Sequence, residues 1–402
     1  MKMKNDNKSI FGNIVHWIID EFKTIGTSYP ILLVLMGGIF VYGLLYNYMY
    51  EPNDVKKAPV AVVDNSKSEL SRKFTQMLNA TPQVSIFTNN VDYAQAQDLM
   101  KENKIVGILL IPDDFDTRIN SGEQSVFMMY ETTTAFLYYL ALQKAASFVM
   151  LNINDQLRPD QLVFLPTQAQ QSMAQSQATI SVVGTALYNY TEGYGTYLIP
   201  AVLMVIIFQT LMMVIAMISG DERDTRSIAK YRELGKSFGG VSQIIIAKTF
   251  VYCMLYAIFA FFLLGLMPVL FDLPNIGNFW EIVQLLIPFL LATSFFGLTC
   301  SLVYSGPDAP LLMIAFFSVG LIFLSGVSYP LELMPWYWRM MHFVIPAAPG
   351  TLAFVKINSM GASMSEIAPE YITLWIQCIV YFIMACLSYR YNIRKYGQNT
   401  NL

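Results

Sequence analysis

Three places in this chain carry residue types that could do chemistry. Asp113-Asp114-Phe115-Asp116, with Asn65 earlier, offers the oxygen ligands or acids of a metal or hydrolytic site. Gly235-Lys236-Ser237 ends like a phosphate-binding loop. The segment from Asp221 to Leu234 packs both signs of charge into a short stretch. The first two dissolve on inspection. The aspartates follow an apolar run and Pro112, where acids favour a helix N-terminus. The surrounding segment 51–192 contains no histidine and no G-x-S-x-G elbow. His16 and His342 are the chain's only histidines, too few for a histidine metal site. The glycine a phosphate loop requires five positions before Gly235 is Lys230, and no apolar strand precedes it. Cys253, Cys300, Cys378 and Cys386 sit in or beside apolar runs and read as small buried hydrophobes. None lies in 51–192, so no disulfide framework forms there. The chain is therefore not expected to be an enzyme, nor to hold a cofactor or metal.

The elements around these residues are mostly apolar. Of 402 residues 55% are hydrophobic and only 13% charged, against about 25% charged in an ordinary soluble domain. The net charge of −3 gives no case for nucleic acid. Six apolar runs, 30–50, 197–219, 249–271, 282–304, 309–329 and 371–389, approach the ~20 residues that cross a ~30 Å hydrocarbon core. The expected fold is a polytopic α-helical membrane protein with six transmembrane helices and an inserted extracytoplasmic α/β domain. No run carries a charge inside it, although ion and proton relays accept a cost of at least ~2.5 kcal/mol to place one there. Energy for movement across the membrane is then expected from another polypeptide.

Lys2, Lys4, Lys8 and Lys23 precede the first run; Arg223, Arg226, Lys230, Arg232 and Lys236 follow the second; Arg390, Arg394 and Lys395 follow the last. The connection 272–281 has no Lys or Arg. This asymmetry predicts cytoplasmic termini and a multi-pass protein whose 51–192 segment is extracytoplasmic. The N-terminus lacks the features of a cleaved signal peptide and is expected to remain as a signal anchor.

Residues 1–29 form a cytoplasmic N-terminus in which Phe11, Ile14, Val15, Ile18, Phe22 and Ile25 line one side of an interfacial helix over 9–25. In 51–192, strands are expected at 58–63, 105–111 and 125–131, and helices after Ser66, over 91–103 and over 134–154. The last helix places Leu137, Leu140, Ala141, Phe148 and Leu151 on one face. A Gln-rich arm over 156–177 leads to the remaining spans in 193–402. Between the last two spans, Pro330, Pro335, Pro346 and Pro349 exclude one continuous helix, and Trp336, Tyr337 and Trp338 cluster as an interfacial belt does. A short re-entrant or surface helix is expected there. In the cytoplasmic loop 220–240, Ile228, Tyr231 and Leu234 fall along one side among charges. That pattern fits a solvated loop or a helix that docks in a partner's groove.

The order of these features resembles an ABC-2-type transporter permease. Asp221–Ile228 is similar to the family's E-R-E-x-G-T-hydrophobic stretch: Glu222, Arg223 and Asp224 match in kind, Arg226 stands where glycine is frequent and Ser227 where threonine is. Leu187-Tyr188-Asn189-Tyr190, then Tyr197-Leu198-Ile199-Pro200-Ala201, resembles L-Y-N-P…P-G, with Tyr190 and Ala201 departing from it. Ser325-Gly326-Val327-Ser328-Tyr329-Pro330, Met334-Pro335 and Pro346 resemble S-G-x-x-[FY]-P…M-P…P. The resemblance implies a bacterial inner-membrane permease subunit exporting a hydrophobic or amphiphilic substrate. It implies cytoplasmic ATP-binding partners that hold the ATP and Mg, and a second permease, identical or paralogous. The coupling contact would be Glu222, Arg223, Asp224, Arg226, Ile228 and Tyr231; the connecting helix Phe11, Ile14, Ile18 and Phe22; the re-entrant segment Gly326, Tyr329, Pro330 and Pro335. A substrate cavity would lie along spans one, two and five, and a periplasmic adaptor with an outer-membrane channel would follow in a Gram-negative source. Membrane lipids surround it and nucleic acid has no part. Two rivals remain at this level: a membrane-anchored scaffold or receptor, and an ion-coupled secondary transporter, for which the runs offer only Gln209, Gln284 and Gln377 as larger polar groups.

Overall fold

Long runs of Leu, Ile, Met and Phe can satisfy their backbone only internally, which makes them helices. The computed structural model describes residues 6–50, 55–89, 91–121, 125–131, 136–163, 193–301 and 320–396, with side chains from residue 15 onward except those of 136 and 155–163. Five helices are long and apolar enough to cross a membrane: α2 (Tyr29–Met49), α7 (Tyr194–Asp224), α8 (Phe238–Leu270), α9 (Phe279–Cys300) and α12 (Ala368–Tyr396). A bent pair, α10 (Trp336–Val344) and α11 (Ala347–Met360), turns by 85° and makes a sixth if counted as one span. The span expected at 309–329 falls largely on residues 302–319, outside the described residues, with helix at 320–324. Leu187–Tyr190 also lie outside them.

The chain divides into two compact units, Met1–Glu51 with Leu187–Leu402, and Pro52–Ala186. In the first, α7 is the central helix: most of its apolar stretch is buried, whereas most of that of α2 is not. It packs against α2, α9 and α11, while α9 and α12 lie along one another. In this structure α7 thus offers little surface for the cavity expected along spans one, two and five. Before α2 runs α1 (Asp6–Thr27), which packs on α8.

The second unit holds a four-stranded sheet in the order β2-β1-β3-β4, from β1 (Ala58–Asp64), β2 (Val84–Thr88), β3 (Gly107–Ile111) and β4 (Met128–Glu131). β1 is parallel to β2 and β3, and β4 is antiparallel to β3. Buried on both faces, β1 reads as a continuous apolar run, APVAVV. Phe74 and Leu78 of α3 (Glu69–Ala80) and Leu142, Ala145 and Val149 of α6 (Phe136–Val163) cover Ala58, Val60 and Val62. Ala96 of α4 (Tyr93–Lys101) covers Ala61 and Val63 on the other side. Two local expectations are corrected. β2 was not foreseen, because it is a short, half-exposed edge strand with little apolar signal. The buried face of α6 is Leu142, Ala145, Val149 and Ile153, whereas Leu140, Phe148 and Leu151 are exposed; the helix is apolar on two sides, so pattern alone did not select between them. Of the three aspartates, Asp114 pairs with Arg118 at 2.7 Å and Asp116 accepts from Asn120, around the short helix α5 (Phe115–Asn120).

Candidate coupling site

The helices extend past the apolar runs that predicted them, and the extra turns carry charge. Glu222 lies near the end of α7 and Lys248 about three turns into α8, and both are buried. The apolar runs themselves carry no charge; the helices that contain them are longer, and these two charges lie in the added turns. Lys248 Nζ donates to Glu21 Oε2 at 2.7 Å and to Glu222 Oε1 at 2.9 Å. Tyr252 donates to Glu21 Oε1, and Tyr389 to Glu222 Oε2 at 2.6 Å. All four carboxylate oxygens thus accept a hydrogen bond. Glu21 belongs to α1, Glu222 to α7, Lys248 and Tyr252 to α8 and Tyr389 to α12, so one cluster joins four helices. Desolvating three charges is tolerable only with such complete pairing.

The loop after α7 sits on this cluster. Arg226 adopts the left-handed conformation at φ 54° and turns the chain into a 3-10 turn, Ser227–Tyr231. A side chain there costs roughly 1 kcal/mol relative to glycine, which is why glycine suits this position. Ile228 and Tyr231 then point inward and are buried. The Tyr231 ring stands 6.3 Å from Trp17 of α1 and 6.2 Å from Tyr389 of α12, centroid to centroid. Burial pushes the Tyr231 phenol well above its ordinary pKa. A second turn, Leu234–Lys236, leads to Ser237, whose Oγ accepts from the Gly240 N–H at 3.0 Å and caps α8. Gly235-Lys236-Ser237 is thus a helix start, and Lys236 pairs with Glu233 at 2.6 Å. The hydrogen bond and charge of Lys236 hold the Glu233 carboxyl below the usual carboxylate range. Gly240 packs so tightly that an added Cβ would lie 2.4 Å from Leu234 O.

Of the residues expected to contact a partner, the structure turns Glu222, Arg223, Ile228 and Tyr231 inward and leaves Asp224 and Arg226 exposed. Arg223 is stacked over Tyr396 at 5.9 Å. The loop therefore has an inner anchor and an outer face, the latter formed by Asp221, Asp224, Arg226, Lys230, Arg232 and Glu233. On α1, the side chains facing the bundle are Trp17, Glu21 and Ile25, with Ile18 half-buried. Phe22, expected on the same side as Ile18, is exposed with Val15 and Ile19; the side chains of Phe11 and Ile14 lie outside the described residues. Apolar periodicity gives no sign that Glu21 faces the bundle, since its partner Lys248 is 227 residues away.

At the other end of the bundle the proline-rich connection is accounted for bond by bond. Gly326 takes φ 86°, where an added Cβ would also meet Leu331 at 2.8 Å. Pro330 precedes a 3-10 turn, Leu331–Leu333, and Pro335 is the N-cap position of α10. Tyr329 is exposed, as are Trp336, Tyr337 and Trp338. Where α10 breaks, the Phe343 carbonyl accepts from Gln377 at 2.8 Å and the Val344 carbonyl from Tyr381, both on α12. His342 Nδ1 bonds Leu324 O at 2.9 Å, and Tyr197 of α7 donates to Val327 O. A broken helix among apolar neighbours needs such donors for its freed carbonyls. Gln377, a polar group a secondary transporter could have used, is committed to this cap.

Compared with known families, residues 27–387 match the model described as ABC-2 family transporter protein. No curated protein matches the chain.

Proposed function

The chain belongs to the ABC-2 transporter family, and from that premise we propose that it is the permease subunit of an exporter for a hydrophobic or amphiphilic substrate. Family membership makes it a membrane subunit that works with an ATP-binding partner. The proposal adds direction, substrate class and the route of force. In this reading the ATP-binding subunits, carrying ATP and Mg, press on the outer face of the loop at Asp224 and Arg226. The inner anchor, Ile228 and Tyr231, passes that displacement to the cluster of Glu21, Glu222 and Lys248. Because the cluster joins α1, α7, α8 and α12, the four helices move together. A second permease copy or paralogue completes the pathway, the membrane is the bacterial inner membrane, and the Pro52–Ala186 unit hands substrate onward outside the cytoplasm, to an adaptor and channel where the envelope has two membranes.

The observation that carries this reading is the two-sided loop: charges outward, aromatic and aliphatic anchors inward against a four-helix ion cluster. Reversing the outward charges with Asp224→Lys and Arg226→Glu tests it. The expected result is loss of co-purification with the ATP-binding subunit and loss of transport-coupled ATP hydrolysis, with thermal stability retained. Undiminished co-purification and coupling would refute the contact.

A further inference from the structure

A cavity of about 810 Å³ opens between α8 and α9, lined by none of the residues of the loop or its cluster. Its walls include Met254, Ala257, Phe261, Gly265, Ile287 and Leu290. On α8 it runs from Phe250 to Val269, roughly 28 Å at 1.5 Å per residue, and on α9 from Phe279 to Leu291, roughly 18 Å. Two features keep it open. Ala257, Ala260 and Gly265 place no bulk in it, and the helix widens to π geometry over Phe261–Leu266, which rotates the following side chains. Apart from the Cys253 thiol, Asn275 is the one polar side chain in the wall; it lies at the end closed by the connection 271–278, where its Oδ1 accepts from the Gly277 N–H.

The charges carried by the connection and by the first turn of α9 are both acidic. From Thr249 to Trp338 the sequence contains no Lys, Arg or His, whereas Asp272 is exposed in the connection and Glu281 is half-buried in the first turn of α9. Among the described residues neither acid makes an ion pair. The cation on the helix that packs against this connection, Lys356, is taken by Glu370 at 2.6 Å, while Ile276 N–H bonds Asn358 O. The trough is apolar along both walls and open on one side. A single extended hydrocarbon chain fits an apolar trough of this length and narrowness.

The geometry points to a selective lipid site: one acyl chain of an amine-bearing zwitterionic phospholipid lies in the α8–α9 groove, with its ammonium beside Asp272 and Glu281. Acidic side chains at the headgroup level repel anionic lipid by about 1 kcal/mol each, or roughly fivefold, so the site selects headgroup by charge and acyl chain by shape. A lipid held there fixes α8 against α9 and moulds the outer face of the bundle.

The test uses the full chain reconstituted in vesicles of equal parts phosphatidylethanolamine and phosphatidylglycerol, extracted in mild detergent, with retained lipid counted by class in a mass spectrometer. The wild type is expected to retain phosphatidylethanolamine in excess. Ala257→Trp fills the groove and lowers that retention about tenfold, while Ile379→Trp, on the exposed side of α12, does not. Asp272→Asn with Glu281→Gln leaves the groove intact and is expected to keep the total lipid count while weakening the headgroup preference about fivefold per charge. Retention of both lipids in the vesicle ratio by the wild type would overturn the proposal. So would an unchanged preference in the double variant, which decides the matter even where the tryptophan variant fails to fold.

Discussion

Replacing Lys248 by methionine keeps most of the side-chain volume and removes the cation that two buried carboxylates share. The Glu21 and Glu222 oxygens touching Nζ lie at 2.7 and 2.9 Å, so they are at most about 5.6 Å apart and repel by ~3 kcal/mol at an effective dielectric of about 20 once the cation is gone. Each also loses a charge-assisted hydrogen bond, and neither can turn to water, since both side chains are buried. Removing one partner from such a buried arrangement costs about 3–5 kcal/mol. The assay is thermal unfolding of the detergent-solubilised chain, where that loss corresponds to a fall in Tm of roughly 5 °C. The compensating variant is Glu21→Gln, Glu222→Gln and Lys248→Met together: without any buried charge to strand, most of the Tm returns, while coupling of ATP hydrolysis to transport stays impaired because the four helices are no longer tied. A Tm for Lys248→Met within a degree of wild type, or a triple variant no better than the single, would refute the reasoning.

Three further outcomes are expected. Arg226→Gly relieves the left-handed backbone and raises stability by up to about 1 kcal/mol in chemical or thermal unfolding; a loss of that size would show that the arginine side chain holds the turn. Tyr231→Ala empties the wedge between Trp17 and Tyr389 and costs about 3–5 kcal/mol, with ATP hydrolysis uncoupled from transport; full stability in unfolding experiments would contradict the anchor role. Gly350→Ala drives a Cβ to 2.3 Å from the buried Phe289 ring and costs about 1–3 kcal/mol, seen as a lowered Tm, whereas an unchanged Tm would mean α9 and α11 separate freely.

The sequence was informative where one residue property suffices. Apolar runs located the five described spans, prolines located the break between α10 and α11, and the alternation of strand and helix located most of the sheet. The motif around Glu222–Ser227 even marked its own exception: Arg226 stands in a position that prefers glycine, and the structure shows a left-handed residue there. What stayed hidden depends on partners remote in sequence. Glu21 and Lys248 form an ion pair across 227 residues, and each alone looks like an ordinary solvated charge at the edge of an apolar run. For the same reason Ile228 and Tyr231 resembled an outward docking ridge, although Trp17 and Tyr389 turn Tyr231 inward. The choice of face on α6 and the existence of the edge strand β2 were likewise settled by tertiary contact and not by local pattern.

The central claim is that ATP on a partner subunit, acting through the loop at Asp221–Lys236, drives movement through this chain. Reconstituting the chain in vesicles with and without its ATP-binding partner, and following efflux of a fluorescent amphiphile, tests it most directly. Efflux that requires both the partner and ATP, and that a proton gradient alone does not support, is the predicted result. Efflux by the lone chain driven by a proton gradient would contradict it.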